Sequence, residues 1–233
     1  MKETTLESLN HLHTYLRKFR KSSLYKYRGQ SDKDWELTPK AGRKGFNKVS
    51  DIDIFNHWKR RAISYLQNHN YDEWELLSIA QHTGLPTRLL DWTHTPLVAF
   101  FFAASENHDK DGAVYIYYTN YYVRHYAKQP FEIKTKIGMY QPTTSSTRLA
   151  NQYGYFTIHK NPEDALNEKT CKGTLERIII PSELKLELMH LLNQYGVNYL
   201  SLFPDLEGLS KHLSWFAENN NYWSTNFDDE EIE

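Results

Sequence analysis

A run of eight apolar residues, LVAFFFAA at positions 97–104, constrains the fold more than any other part of the chain. Thr95 and Pro96 precede it, an N-cap residue followed by the proline that suits the first helical position, so a helix begins here. Its residues are apolar on every side, and a helix of that kind has to be buried. Other elements must therefore cover it from several directions.

Further helices and strands are expected both before and after this helix in the sequence. Apolar residues recur with helical spacing, or alternate as in strands, in ten further segments. Helices are predicted at 5–21, 51–68, 72–84, 182–195 and 205–217. Strands are predicted at 25–30, 87–92, 113–118, 175–180 and 197–203. Helices and strands alternate only loosely and 119–172 looks irregular, which favours the α+β class over a doubly wound sheet.

A chain of 233 residues fits a single domain. We expect residues 1–225 to form it, with a mixed or antiparallel sheet, flanking helices and a helical N-terminal region. Residues 228–233 are almost all acidic, which predicts a disordered tail over residues 226–233. The sequence has no apolar span of about 20 residues and no signal peptide, so we expect no membrane contact and a cytoplasmic location.

Charge and cysteine content exclude several classes of function. The net charge of −1 gives no general signal for binding polyanions, although 112–160 carries six cations and one acid, Glu132. The single cysteine, Cys171, excludes a disulfide framework and a cysteine-based zinc site. No histidine and carboxylate spacing supports a metal site, and no phosphate-binding glycine loop or hydrolase motif is present.

The densest group of polar side chains lies in QHTGLPTRLLDWTHTPLVAFFFAAS, positions 81–105. It brings His82, Arg88, Asp91, Trp92 and Thr93 to the junction of a helix end, a short strand and the start of the buried helix. Such junctions bind anions, because free N–H groups and the helix dipole favour negative charge there. Structural roles explain each residue equally well: an Arg88–Asp91 ion pair, a core position for Trp92, and a helix-end position for His82.

Three other stretches carry candidate residues. Asp205 and Glu207 follow a predicted strand end, where they either cap a helix or act as acid or base. The residues of RLANQYGYF, 148–156, either line a cleft or form a polar edge, and NYYVRHYAKQPF, 120–131, either stacks bases and holds phosphates or lies in solvent. The candidates in these two stretches are Arg124, Tyr126, Arg148, Gln152 and Tyr153.

Five ordered motifs together resemble the FRG domain, a family named for an aromatic-Arg-Gly motif near its start. The first is YRGQ at 27–30, where tyrosine replaces the phenylalanine of the family name. The others are AQHTGLPTRLLDWTHTPLVAFFFA at 80–103, RLANQYGYF at 148–156, RIIIP at 177–181 and LFPDLEGL at 202–209. The resemblance covers roughly residues 20–215.

The motif order is further similar to that of NAD-dependent ADP-ribosyltransferases, whose sheet is split. This resemblance implies NAD as a substrate, with Arg28 on its phosphates, His82 and Thr93 on ribose or amide, and Gly29 allowing close approach. It implies a late catalytic acid, which Glu207, Glu176 or Asp205 would supply. The catalytic residues expected from it are Arg28, His82 and Glu207, and the cofactor-binding residues are Tyr27, Arg28, Gly29, Gln30, His82, Arg88, Asp91, Trp92 and Thr93.

Three functions remain open at this point. The resemblance favours an ADP-ribosyltransferase, a toxin or anti-phage effector that modifies nucleic acid or protein and has an antitoxin or immunity partner. In that case Arg124, Tyr126, Arg148, Gln152 and Tyr153 would contact the acceptor. The second function is a non-catalytic module that binds nucleotides or nucleic acid. The third is a nuclease that holds a divalent metal with Asp91, Asp205 and Glu207.

Overall fold

The computed structural model describes residues 1–66, 70–124, 128–142 and 154–219 of the chain. Seven strands form one mixed sheet, in the order β1-β7-β4-β2-β3-β6-β5. All neighbours are antiparallel except β1 and β7, which run parallel. The strands are β1 (Lys2–Thr5), β2 (Tyr25–Gln30), β3 (Leu89–Thr93), β4 (Gly112–Tyr118), β5 (Ile137–Tyr140), β6 (Gly154–His159) and β7 (Thr174–Ile180).

Helices cover the sheet, which confirms the α+β prediction. The α-helices are α1 (Leu12–Arg17), α2 (Asp51–Ala62), α3 (Glu73–His82), α4 (Pro96–Ala104), α5 (Lys185–Gln194), α6 (Tyr199–Leu202) and α7 (Leu206–Asn219). Short 3-10 turns lie at Leu9–His11, Lys40–Gly42, Ile63–Tyr65, Pro130–Glu132 and Ser182–Leu184. None of the helices in these described ranges has both the length and the apolar character needed to cross a bilayer.

Helix α4 is the buried helix that its sequence predicts, with Thr95 as N-cap and Pro96 in its first turn. It packs so closely on the sheet that a Cβ at Gly29 would lie 1.9 Å from the carbonyl oxygen of Ala99. A Cβ at Gly112 on the next strand would lie 2.2 Å from the carbonyl oxygen of Ala103. Glycine at both positions therefore allows two strands to contact the helix backbone.

Most predicted helix ends are confirmed by their capping contacts. Asp72 and Glu75 form the predicted capping box of α3, with hydrogen bonds of 2.8 and 2.9 Å between side chain and backbone. Asp205 accepts from the backbone N–H of Gly208 at 2.8 Å at the start of α7, as its capping interpretation requires. Gly84 and Gly196 have φ values of 93° and 74° beyond the ends of α3 and α5.

Three element predictions are wrong. The predicted strand 197–203 contains helix α6, because Asn198 and Ser201 form a capping box that starts a helical turn. The segment 119–172 contains β5 and β6, which are buried on both faces and therefore lack the apolar–polar alternation of a half-exposed strand. The predicted helix 5–21 is helical as α1 only from Leu12 to Arg17, and its first residue, Thr5, instead ends strand β1, which pairs with β7.

The predicted tail, 226–233, lies outside the described residues, and the extent of the domain remains a prediction.

Candidate functional site

The sheet opens between β2 and β3. These neighbouring strands pair at one position, Tyr27 opposite Thr93, whereas β2 pairs with β4 along its whole length. A cavity of about 300 Å³, here called the seam cavity, lies where the two strands separate. Its described lining is Tyr27, Arg28, Gly29, Gln81, His82, Asp91, Trp92, Thr93, Val98, Phe102, Gly154, Tyr155, Phe156 and Phe203. Aromatic walls with a few polar groups are typical of small-molecule sites.

Arg28 is the central cation of the seam cavity. One terminal nitrogen donates to the backbone carbonyl of Asp91 at 2.8 Å and lies 3.5 Å from an oxygen of the Asp91 carboxylate. The Nε atom is buried and has no hydrogen-bond partner among the described residues. Burial lowers the pKa of the Arg28 guanidinium, and the Asp91 carboxylate partly offsets this effect. A ligand anion would stabilise the charge and accept from the donors that the protein leaves unused.

Asp91 supplies the carboxylate in the described lining of this cavity. Its side chain is 57% exposed, so its oxygens reach the open space beside Arg28. The Gln81 side-chain amide donates to both carboxylate oxygens, at 3.1 and 3.0 Å, and thereby orients the group. A cation and an oriented carboxylate thus lie side by side, and such a pair can bind a ligand that carries both an anionic group and hydroxyl groups.

Trp92 forms one wall and is held by a buried chain of hydrogen bonds. Its indole N–H donates to the Thr157 hydroxyl at 3.1 Å, which lies 3.1 Å from Nε2 of His159. Nδ1 of His159 lies 2.7 Å from the carbonyl oxygen of Asp164 and must donate to it, so Nε2 accepts from Thr157. Burial lowers the pKa of His159 to about 4, which keeps the imidazole neutral. This network orients the Trp92 ring.

A second cavity, of about 190 Å³, continues from the first and is here called the adjoining cavity. It shares Arg28, Gly29, Phe102 and Phe203 with the seam cavity. The rest of its described lining is Gln30, Ser31, Trp35, Arg43, Phe101, Ser105, Glu106, Tyr199 and Lys211. The guanidinium of Arg28 is therefore accessible from two connected spaces.

Eight of the residues singled out from the sequence lie at these two cavities. They come from β2, from the end of α3 and from β3, which the fold brings together at the opening of the sheet. Seven line the seam cavity, namely Tyr27, Arg28, Gly29, His82, Asp91, Trp92 and Thr93, and Gln30 lines the adjoining cavity. Glycine is also needed at position 29 for packing, because a side chain there would clash with the backbone of α4.

Arg88 is the clearest correction to the expected set. Its guanidinium donates to both carboxylate oxygens of Asp51, at 2.7 and 2.8 Å, and to the carbonyl oxygen of Lys160 at 3.1 Å. Both side chains of the pair are more than nine-tenths buried, and Arg88 stacks 4.7 Å from the Phe131 ring. Arg88 therefore joins α2 to the sheet, and its predicted ion-pair partner, Asp91, is instead oriented by Gln81 and lies beside Arg28.

The candidate late acids do not join the described lining of the seam cavity. Glu207 lies on the first turn of α7, is 68% exposed and pairs with Lys211 at 2.8 Å. Glu176 on β7 pairs with Lys18 and lies opposite Ile116, so it is two strands from β2 and on the face opposite to Arg28. Asp205 caps α7. The fold therefore places these carboxylates away from Arg28. It also separates Asp205 and Glu207 from Asp91, with which they would form the metal site of a nuclease.

Of the residues expected to contact an acceptor, one lies away from both cavities and the others are outside the described residues. Arg124 is exposed and absent from the described lining of both cavities. Tyr126, Arg148, Gln152 and Tyr153 lie outside the described residues. Among the described residues, no group of three or more histidine, cysteine or acidic side chains could hold a metal ion.

Sequence reasoning missed Gln81, Phe203, Trp35 and Arg43. Gln81 lies in the motif at 80–103 and Phe203 in the motif at 202–209, so membership of these motifs was the sequence signal that could have identified them. Trp35 and Arg43 lie in the long connection between β2 and α2, where neither periodicity nor motif singles them out. Their position at the adjoining cavity follows from tertiary structure alone.

The fold and site define an α+β protein with a cationic and aromatic ligand cavity at an opening in a mixed sheet. The sequence model of the FRG domain matches residues 23–112, so this part of the chain is similar to that domain. The match includes β2, β3 and α4 and thus most of the seam cavity, and it ends before the three later motifs. Comparison with curated proteins finds no match, and comparison with solved structures finds none either.

Proposed function

We propose that this protein binds a dinucleotide of the NAD type in the seam cavity and acts on it as an ADP-ribosyltransferase. The observation that carries the proposal is the juxtaposition of Arg28 and Asp91 at an aromatic cavity. Arg28 has a buried Nε without an acceptor among the described residues, and Asp91 has a largely exposed carboxylate. A nucleotide offers a phosphate to the cation and ribose hydroxyls to the carboxylate.

The walls of the cavity suit the nicotinamide end of such a ligand. Tyr27, Trp92 and Phe102 present aromatic faces to a space of about 300 Å³, and a planar ring stacks well on such faces. Burial raises the pKa of Tyr27 to about 12, so its phenol stays neutral. His82 and Thr93 also line the cavity, and we expect them to contact the amide or ribose of the ligand.

In this proposal Asp91 takes the role that the resemblance assigned to Glu207. Cleavage of the nicotinamide–ribose bond creates positive charge on the ribose, and a carboxylate placed near that charge stabilises it. Gln81 would hold Asp91 in position through its two hydrogen bonds. The sequence from 143 to 153, which connects β5 to β6, contains no aspartate or glutamate that would compete for this role.

Binding is tested first, by titrating the full chain with NAD in a calorimeter. We expect Arg28→Gln to weaken binding by about 10- to 100-fold, because a hydrogen-bonded charged group contributes about 1.5–3 kcal/mol. Arg20→Gln is the matched control, since Arg20 is an exposed arginine outside both cavities. Equal affinity of the Arg28→Gln variant and the wild type would contradict the proposal.

Turnover is tested second, by release of nicotinamide and transfer of label from NAD to RNA, DNA or lysate protein. We expect Asp91→Asn to bind NAD and to lose turnover. The second candidate function, a binding module without turnover, is favoured by the position of Glu207 and Glu176 away from the cavity. NAD binding by the wild type without nicotinamide release would establish that alternative.

A further inference from the structure

The adjoining cavity contains more positive charge than its surroundings compensate. Arg43 enters it from the chain after the Lys40–Gly42 turn, and its Nε donates to the carbonyl oxygen of Thr38 at 3.0 Å. No carboxylate of the described residues lies within 4.0 Å of Arg43, whereas Arg28 has Asp91 at 3.5 Å. Burial lowers the pKa of the Arg43 guanidinium, and the Asp91 carboxylate at longer range opposes that shift.

Arg28 and Arg43 are close enough to affect each other. Both residues line the adjoining cavity, and the charge on Arg43 lowers the pKa of the Arg28 guanidinium. Glu106 also lines this cavity, but Asp91 is the carboxylate whose charge raises the pKa of both arginines. An anion with two negative charges placed between them would remove the repulsion and satisfy donors on both.

Gln30 adds an unused acceptor to the same cavity. Its side chain is almost completely buried, and its amide nitrogen donates to the carbonyl oxygen of Glu36 at 3.3 Å. Because a carbonyl oxygen can only accept, this contact fixes which end of the amide is nitrogen. The Oε1 atom is left buried, without a donor among the described residues. A ligand hydroxyl or amine that enters the cavity would supply that donor.

We propose that the adjoining cavity is a second subsite that binds the outer phosphate and ribose of a nucleoside diphosphate group, with Arg43 as the residue that requires the second phosphate. Arg28 contacts the phosphate nearer the seam cavity, and Arg43 contacts the phosphate beyond it. Gln30 accepts from a ribose hydroxyl, and the half-exposed ring of Trp35 forms a platform for the base. The assignment of the inner phosphate to Arg28 rests on the proposed function.

The test compares ligands with one and two phosphates on the full chain. Calorimetric titrations use ADP-ribose, ADP and NAD as two-phosphate ligands and nicotinamide mononucleotide, which carries the inner phosphate alone, as the one-phosphate ligand. We expect Arg43→Gln to weaken the first group by about 10- to 100-fold and the second by less than about 3-fold. Lys44→Gln, which removes an exposed neighbouring cation outside both cavities, should change neither group.

The outcomes separate this inference from the proposed function. If ADP and ADP-ribose bind in an Arg43-dependent way and NAD does not bind, the second subsite stands and the proposed function fails. If NAD binds through Arg28 and the Arg43→Gln variant matches the wild type for every ligand, the second subsite is overturned. Binding of none of the four ligands at millimolar concentration overturns both. If Arg43→Gln does not fold, Arg43→Lys keeps the charge, loses the fork geometry, and should still weaken the two-phosphate ligands selectively.

Discussion

The Arg88–Asp51 pair predicts a variant that loses stability without losing ligand binding. Arg88→Met leaves the Asp51 carboxylate buried without the two charge-assisted hydrogen bonds of 2.7 and 2.8 Å. Both side chains are more than nine-tenths buried, and breaking such a pair from one side costs about 3–5 kcal/mol of unfolding free energy. With a urea dependence of about 2 kcal/mol per molar, the unfolding midpoint should fall by about 2 M.

Urea titration followed by tryptophan fluorescence measures this shift, and NAD titration without urea measures binding by the folded fraction. The double variant Asp51→Asn with Arg88→Met should recover part of the loss, because no uncompensated charge remains. Arg60→Met removes an exposed arginine from α2 and serves as the control. The reasoning is refuted if Arg88→Met keeps wild-type stability while NAD binding disappears, because Arg88 would then be a ligand residue.

Four further predictions follow from the same structure. Gly29→Ala should lower the free energy of unfolding by at least about 2 kcal/mol in a thermal melt, since its Cβ would meet the Ala99 backbone; an unchanged melting temperature would contradict this. Stability should fall as the pH drops from 6.5 towards 4, because the unfolded chain protonates His159 before the folded one does. This costs about 3 kcal/mol in total, and urea midpoints that do not change over this range would contradict it. Asp91→Asn should still bind NAD and release nicotinamide at least about 100-fold more slowly, and retained turnover would exclude Asp91 as the stabilising carboxylate. Glu207→Gln should change neither NAD affinity nor turnover, and a loss of either would restore Glu207 to the site.

The parts of the fold that depend on local pattern could be predicted from the sequence. The buried helix α4, the capping box of α3 and strands β2, β4 and β7 each have a signal within a few residues. Strand β1 has no such local signal, because it is stabilised by parallel pairing with β7, about 170 positions later in the chain. Helix α6 differs from the predicted strand because the capping box of Asn198 and Ser201 starts a helical turn within a short apolar run.

The candidate site divides in the same way. Arg28, Asp91, Trp92 and Thr93 stand in motifs that place polar groups at strand ends, and the fold brings those ends to one opening. Arg88 stands in the same motif, yet it faces the core that α2 covers, and no local signal identifies Asp51 as its partner. Arg43 has no motif at all, and only the path of the chain after β2 brings it to Arg28.

The structure of the chain bound to NAD tests the central claim most directly. The account predicts the nicotinamide between the aromatic walls of the seam cavity, the inner phosphate on Arg28, and a ribose hydroxyl within hydrogen-bonding distance of the Asp91 carboxylate. NAD bound at another surface, or bound with its phosphates away from Arg28, would contradict the account.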